Sequence, residues 1–467
     1  MSSPRLRKLA LLTTGALVGG ALTISIQAFA DKNNGILPLN ELRTFAEVFG
    51  RIKQDYVEPV EDKKLINEAI KGMLSGLDPH SDYYDPEEFK EFREGTQGEF
   101  GGLGIEIGTE DGLVKVVAPI EDTPAQKAGI KSGDLIVKID DTPVRGLSIN
   151  DAVKKMRGAP GSKVTLTIAR KTESKPLVFT LTRAVIKTKS VKSRLLEPGF
   201  GYVRVAQFQE HTVENFAQAL TQLYKDNKAP LQGMVLDLRD DPGGVLHGAV
   251  GVSAAFLPQD ALVVYTEGRA SDSKMRLYAN PRDYQRGKAT SEYAKVPPAI
   301  KNVPLVVLVN AGSASASEIV AGALQDHKRA LIVGTQTFGK GSVQSVLPLA
   351  NNGGIKMTTA RYFTPNGRSI QAKGIVPDIV VEEGNEALAS LRVREADLER
   401  HLQNPNDPAE SAKPAAKPVA KPAGNGDKPK NGDSNGNGNG DTASDVQLNQ
   451  ALNILKVQQI MLKKTPS

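Results

Sequence analysis

The sequence has no cysteine and no tryptophan, and aromatic side chains make up only 5% of its 467 residues. Without thiols there can be no disulfide scaffold, cysteine nucleophile, iron–sulfur cluster or cysteine-built zinc site. The scarcity of rings weighs against a surface that stacks sugars or bases. Charge of a single sign is lacking too, since 59 Lys and Arg face 53 Asp and Glu, for a net +6. The first thirty residues hold Arg5, Arg7 and Lys8 and no acid, so losing them would lower that charge by three. This is no electrostatic footprint for nucleic acid. The five histidines, His80, His211, His247, His327 and His401, show no HExxH or HxH spacing, so no metal site and no cofactor is expected. What is present is 39% hydrophobic residues in a chain long enough for about three domains. That excludes a wholly disordered protein.

The N-terminus reads as an address. Arg5, Arg7 and Lys8 precede an apolar run from Leu9 to about Ile26, and Ala28-Phe29-Ala30 follows. Residues 1–30 therefore form a secretory signal, with cleavage expected before Asp31. The alternative is an uncleaved anchor, for which the run is short and interrupted by Gly and Thr. Either way the body is expected outside the cytoplasm, in the periplasm, with membrane association through a retained leader as a variant.

Residues 31–97 read as a small helical region. Leu42, Phe45, Val48, Phe49 and Ile52 have helical spacing, Lys63 to Leu77 forms a second helix, and Asp85-Pro86 opens a third. From residue 98 to 187 the texture becomes short β runs separated by Gly-rich turns. Residues 188–383 alternate buried-looking strands with helices. The strands are Gly201–Val205, Gly233–Leu238, Val303–Val309 and Ala330–Val333, and the helices are Thr212–Asp226 and Ser317–Gln325. That alternation points to parallel pairing with crossovers. Residues 384–409 read as a charged helical segment, 410–442 as a disordered Lys/Pro/Gly/Asn-rich linker, and 443–467 as an amphipathic helix. A helix at the end of a tether is expected to find a partner, often a second copy of its own chain. The fold class is thus multidomain α/β (α+β), with helical N- and C-terminal segments.

Two motifs carry chemistry. Gly312-Ser313-Ala314-Ser315-Ala316-Ser317-Glu318 follows an apolar strand and opens a helix, which sets a small hydroxyl on a helix N-terminus where developing negative charge is favoured. The plainer reading is a serine helix cap. No histidine can serve as its base from along the same helix: His327 lies twelve residues on, about 18 Å at about 1.5 Å per residue. His247 could approach only through tertiary folding. Gly334 to Lys340 fits G-x-x-x-x-G-K, but Gly341 stands where a phosphate loop needs Ser or Thr. Lys340 itself, between Gly339 and Gly341, has no acid in its immediate sequence.

Gly102-Leu103-Gly104-Ile105, then TPAQKAGIKSGD and a short helix, resemble a PDZ domain. By β-augmentation, Leu103, Gly104 and Ile105 would hold the C-terminus of a peptide laid beside the following strand. GSASASEIVAGALQD and VGTQTFGKGSVQ, with LDPHSDYY, VLDLRDDPGG and RYFTPNGRSIQAKGIVPDI, resemble the carboxyl-terminal processing (tail-specific) proteases from about Leu37 to Glu382. That resemblance implies a crotonase/ClpP-like α/β core with an inserted PDZ domain. It implies Ser315 as nucleophile, Lys340 as general base and Gln344 as the residue that steadies the lysine. The oxyanion hole would be the Ala316 N–H and that of Gly244 or Gly243, Gly244 being preferred. The expected partners are protein substrates with accessible C-termini, a second copy of the chain, and an adaptor or activator protein. The alternatives are a PDZ adaptor with an inert body and a crotonase-like acyl-CoA enzyme. Hinges near Gly98–Gly101 and Ile186–Val191 would let the PDZ domain gate access.

Overall fold

The structure is a computed structural model that describes residues 38–110, 112–285, 291–383, 392–407 and 445–464. The leader (residues 1–30), the whole linker (410–442), and residues 384–391 and 408–409 of the charged segment lie outside the described residues. The chain divides into a small unit up to Ile70 and a large one from Lys71.

In the small unit, Leu39–Asp55 is helical, as its apolar spacing predicts, yet none of its residues is buried. Leu42, Phe45 and Val48 stay exposed along one stripe. A second helix, Asp62–Ser75, runs through the division.

The large unit begins with the helix Pro86–Gln97, which Asp85 caps by accepting from Glu87 N and Glu88 N. Gly98 ends it in the left-handed conformation, φ 74°. The strand Glu99–Gly102 then leads into a β domain and pairs with the strand that leaves it, Ala184–Lys187. The domain is an antiparallel sheet in the order Ile105–Glu110, Leu113–Pro119, Leu135–Ile139, Lys163–Ala169, Leu177–Thr182. Its core is Val116, Ile136, Leu166 and Ile168, closed by Ala152 on the helix Ile149–Met156.

The body is built on a six-stranded sheet in the order Val191–Glu197, Phe200–Val205, Gly233–Asp237, Leu305–Val309, Leu331–Gly334, Ile379–Val380. The first pair is antiparallel and the rest are parallel. The sequence GMVLD and LVVLV show no polar alternation because both faces are covered. Met234, Leu236, Val307 and Val309 pack beneath the helices Thr212–Asn227, Leu246–Phe256 and Ala316–Asp326. The alternate residues Val235, Val306, Leu308 and Val333 face the other way, against Leu448, Ala451 and Leu455. Those last three belong to the helix Val446–Lys464. The C-terminal helix therefore docks on its own chain's sheet, whereas the sequence pointed to a partner copy. Arg239, at the end of a core strand, fixes it by a paired contact with Asp445 at 2.9 and 2.8 Å.

Of the charged helix expected over 384–409, the described part, residues 392–407, is not an α-helix. Only Glu395–Asp397 forms one 3₁₀ turn, and Glu395 is fully buried. A buried carboxylate bound to the body is worth more here than the weak helical pattern of a charged stretch.

A second sheet carries the other half of the site. Gly354–Phe363 lies between Ser342–Pro348 on one side and Asp82–Tyr84 and Leu262–Gly268 on the other, with Arg276–Tyr278 outermost.

Candidate active site

Ser315 sits on a turn that the fold holds rigidly. The strand Leu305–Val309 is buried at every position and ends at Asn310, whose amide oxygen accepts from Asp240 N and Gly312 N. Ser313 Oγ donates to Leu238 O at 2.7 Å, and Ala314 N and Ser317 Oγ both donate to Asp241 O at 2.9 Å. Ser315 itself has φ 55° and ψ −110°, a conformation that L residues avoid and that costs about 1–3 kcal/mol. The surrounding bonds enforce it, so the hydroxyl stands at the head of the helix Ala316–Asp326. The N–H groups of that first turn have no intrahelical acceptor.

The glycines of Asp241-Pro242-Gly243-Gly244 approach this turn as closely as atoms allow. A Cβ on Gly243 (φ 92°) would lie 2.6 Å from Ala314 O and 2.8 Å from both Ala316 N and Ser315 Cβ. Gly243 N–H donates to Asp241 Oδ1 at 2.8 Å. On the opposite side, Phe208 N donates to Gly243 O and Val245 N to Phe208 O, a pairing that does not use the Gly244 N–H.

Lys340 reaches the same place from another element. The loop before Ser342 spends its backbone N–H groups inside the protein: Thr335 N on Val309 O, Thr337 N on Ile375 O, Phe338 N on Ser313 O. Gly339 N and Lys340 N donate to the Glu318 carboxylate at 2.8 and 2.9 Å. With these donors occupied, the loop cannot cradle a phosphate, whatever its G-x-x-x-x-G-K spelling. Glu318 also accepts from Ser315 N at 2.8 Å and Thr337 Oγ1 at 2.6 Å. One buried carboxyl thus ties the serine turn to the lysine turn. The Tyr362 hydroxyl spans the same gap, contacting Ser315 O at 3.1 Å and also Lys340 O. Glu318 and Tyr362 escaped the sequence reading, although Ser315-x-x-Glu318 has capping-box spacing.

Electrostatics follow from burial. Desolvation lowers the Lys340 amine to about 8, and the nearby Lys356 charge works in the same direction. Glu395, Glu318 and Asp78 oppose it. Glu395 stands behind the loop, its carboxylate shared by His80 Nε2 at 2.7 Å and Gln371 Nε2 at 2.8 Å, while Gln371 Oε1 accepts from Gly341 N. The acids missing from the sequence around Lys340 are supplied by the tertiary fold. Burial also lifts Glu318 to about 7 against its four hydrogen bonds.

Ser315, Ala316, Gly243, Gly244, Lys340 and Gln344 all line one cleft of about 1220 Å³. The hydrogen bonds of Gln344 run to other residues than the lysine: its Nε2 donates to Ser342 Oγ at 3.0 Å and to Thr358 Oγ1 at 3.1 Å. Thr358 in turn donates to the buried Asp78, so Gln344 is held by the LDPHS segment. His247 stands in the cleft wall, 3.4 Å from Glu210. His327 is spent at the far end of its helix on Leu262 O. Among the described residues no group of three His, Asp or Glu side chains is placed to hold a metal ion.

Leu103, Gly104 and Ile105 lie apart, on the β domain. Leu103 is buried, and at Gly104 (φ 75°) a Cβ would fall 2.3 Å from Thr123. The strand Ile105–Glu110 that follows is at the edge of its sheet, with one side unpaired.

Comparison with known proteins agrees with this architecture. Residues 199–381 match the model of peptidase family S41, residues 115–170 a PDZ domain, and residues 21–88 the N-terminal domain of the activating protease CtpB. The carboxy-terminal-processing protease of Bartonella bacilliformis is 46% identical over 381 residues, which cover 81% of this chain and 83% of that one. The carboxy-terminal processing protease CtpB of Bacillus subtilis is 37% identical over 71% of this chain and 66% of its own. Among solved structures, the photosystem II D1 C-terminal processing protease is 32% identical, covers 76% of this chain and 92% of its own, and has a TM-score of 0.40. The family-model match and the 46% identity to the Bartonella protein over most of both chains establish that the chain belongs to the carboxy-terminal processing proteases of peptidase family S41.

Proposed function

We propose that the chain is an exported serine endopeptidase that docks substrate C-termini on its PDZ domain and cuts with Ser315 and Lys340. The observation that carries the reading is a lysine desolvated to about 8 in the same cleft as a hydroxyl held at a helix N-terminus. A neutral Lys340 accepts the Ser315 proton as Oγ bonds to the substrate carbonyl carbon. The carbonyl electrons move to oxygen, and the resulting oxyanion is met by the N–H groups of Ala316 and Gly244. Gly244 is preferred because the Gly243 N–H is already committed to Asp241. Lys340 then returns the proton to the leaving amine, and water resolves the acyl-enzyme by the reverse sequence. Gln344, held by Thr358, faces the cleft beside the lysine rather than bonding to it, so its role is to bound the space in which the amine moves.

The unpaired edge of Ile105–Glu110, next to the Gly104 turn, supports capture of a peptide C-terminus by strand addition. The leader in residues 1–30 supports export to the periplasm. The exposed stripe Leu42, Phe45 and Val48 supports association with a second copy. Purified wild type should degrade an unstructured protein, while Ser315→Ala and Lys340→Ala should not and should still bind a C-terminal peptide. If both variants still cut, the assignment is wrong.

A further inference from the structure

The DDPGG loop contains a second buried acid that the reaction so far leaves unused. Asp241 has no exposed surface. Its Oδ1 accepts the Gly243 N–H at 2.8 Å, and its Oδ2 is buried without a hydrogen-bond partner. Its backbone carbonyl meanwhile receives Ala314 N and Ser317 Oγ, on either side of Ser315. Glu318 is just as deeply buried, but both of its oxygens are satisfied, by four donors in all. A carboxylate with a single N–H donor and no counter-ion of its own is poorly compensated in such a site, and the proton is the least costly remedy.

We propose that Asp241 is a positioning residue for the oxyanion hole and performs this role as a neutral carboxylic acid rather than a carboxylate. As the acid, it anchors the Gly243 N–H from behind and so leaves the next N–H, that of Gly244, facing the cleft. It also keeps negative charge away from the place where the oxyanion forms. Burial pushes its carboxyl well above the usual range against the opposing Gly243 N–H, Ser317 hydroxyl and Arg204, and Asp237 adds a smaller push in the same direction as burial. Arg204 and Asp237 face it from neighbouring core strands and are paired to each other at 3.4 Å. Ser317 faces it from the helix, and the adjacent Asp240 is held by Arg392 and Asn310. Ionisation of Asp241 would set a like charge beside the developing oxyanion, worth on the order of tenfold or more in rate at the effective dielectric of a partly buried site.

The proposal rests on the Ser315 and Gly244 reading above, and the experiment separates the two. In the full chain, kcat/KM on fluorescently labelled casein is measured from about pH 6 to about pH 10 for wild type, Asp241→Asn and Ser315→Ala. Lys340 titrates alike in wild type and Asp241→Asn, so it cancels in their ratio. Whatever the substitution does to the rate near neutrality, the ratio of Asp241→Asn to wild type should rise by about tenfold from the neutral to the alkaline end. The melting temperature gives a readout that needs no activity. A folded state that holds this proton more tightly than the unfolded chain loses stability as pH rises above about 4, so the Asn variant should gain on wild type over that range. Loss of activity in Asp241→Asn at every pH overturns the proposal, as do an activity ratio and a melting difference that both stay flat. A wild type that does not cut, or a Ser315→Ala that does, overturns the serine reading instead.

Discussion

Lys356 and Glu395 act on Lys340 with opposite charges, so neutralising each in turn should move the pH dependence of cleavage in opposite directions. A lysine titrating near 10.5 would be neutral at pH 7 in roughly three molecules in ten thousand. At about 8, Lys340 is neutral in roughly one in ten, about 300-fold more, equivalent to roughly 3.4 kcal/mol. Most of that comes from burial, and Lys356 supplies the next contribution. Its ammonium lies 5.4 Å from the centre of the Tyr84 ring and 6.0 Å from that of Phe92, with no carboxylate paired to it among the described residues. Lys356→Met should therefore raise the midpoint of the rising limb of kcat/KM by about half a pH unit, with a two- to threefold loss at pH 7 and none well above the limb. Lys356→Arg should restore the wild-type midpoint. Glu395 favours the ammonium form, so Glu395→Gln should lower the midpoint, whatever it does to the plateau through its lost contact with His80. The assay is the full pH profile on an unstructured protein substrate, fitted for midpoint and plateau separately. If both variants shift the midpoint the same way, or neither shifts it, Lys340 is not the titrating base.

Gly243→Ala should cost at least about a hundredfold in kcat, because its Cβ would enter the contact with Ala314 and Ala316. C-terminal peptide binding should be unchanged, and near-normal turnover would place the oxyanion hole elsewhere. Leu455→Ala should destabilise the body by about 2–5 kcal/mol in denaturant unfolding, since Leu455 is fully buried against the sheet. A loss below about 1 kcal/mol would mean that the C-terminal helix does not stay docked in solution. Deleting residues 100–186 should change both rate and selectivity, because the strands entering and leaving the PDZ domain connect directly to the loop beside Gly243: Thr188 bonds Gln209, and the neighbouring Phe208 bonds Gly243. Unchanged rate and selectivity would rule out gating.

Much of the site was legible because short motifs impose local geometry wherever they occur. The apolar strand followed by small residues forces a strand-turn-helix, and Ser315 lies at its apex. The Gly-Gly of the DDPGG loop marks a backbone that something must approach closely, and the serine turn does so. Gln344 lines the cleft, but its hydrogen bonds to Ser342 and Thr358 were not legible, because bonds between side chains depend on elements far apart in the chain. The charged stretch after residue 391 misled for a related reason: its pattern hinted at helix, but burial of Glu395 against His80 and Gln371 outweighed that hint.

By itself the sequence determined which elements form and which residues carry reactive groups, since hydrophobic period, glycine placement and capping act within a few residues of one another. Tertiary structure alone decided what surrounds those groups. It brought Glu318, Glu395 and Asp78 around a lysine with no acid nearby in sequence, and left Asp241 buried with one carboxyl oxygen unpartnered. It also used the C-terminal helix, far from the core strands in sequence, to cover the bare face of the sheet. Proton affinity depends on desolvation and charges within a few ångströms, and those distances exist only once the chain has folded.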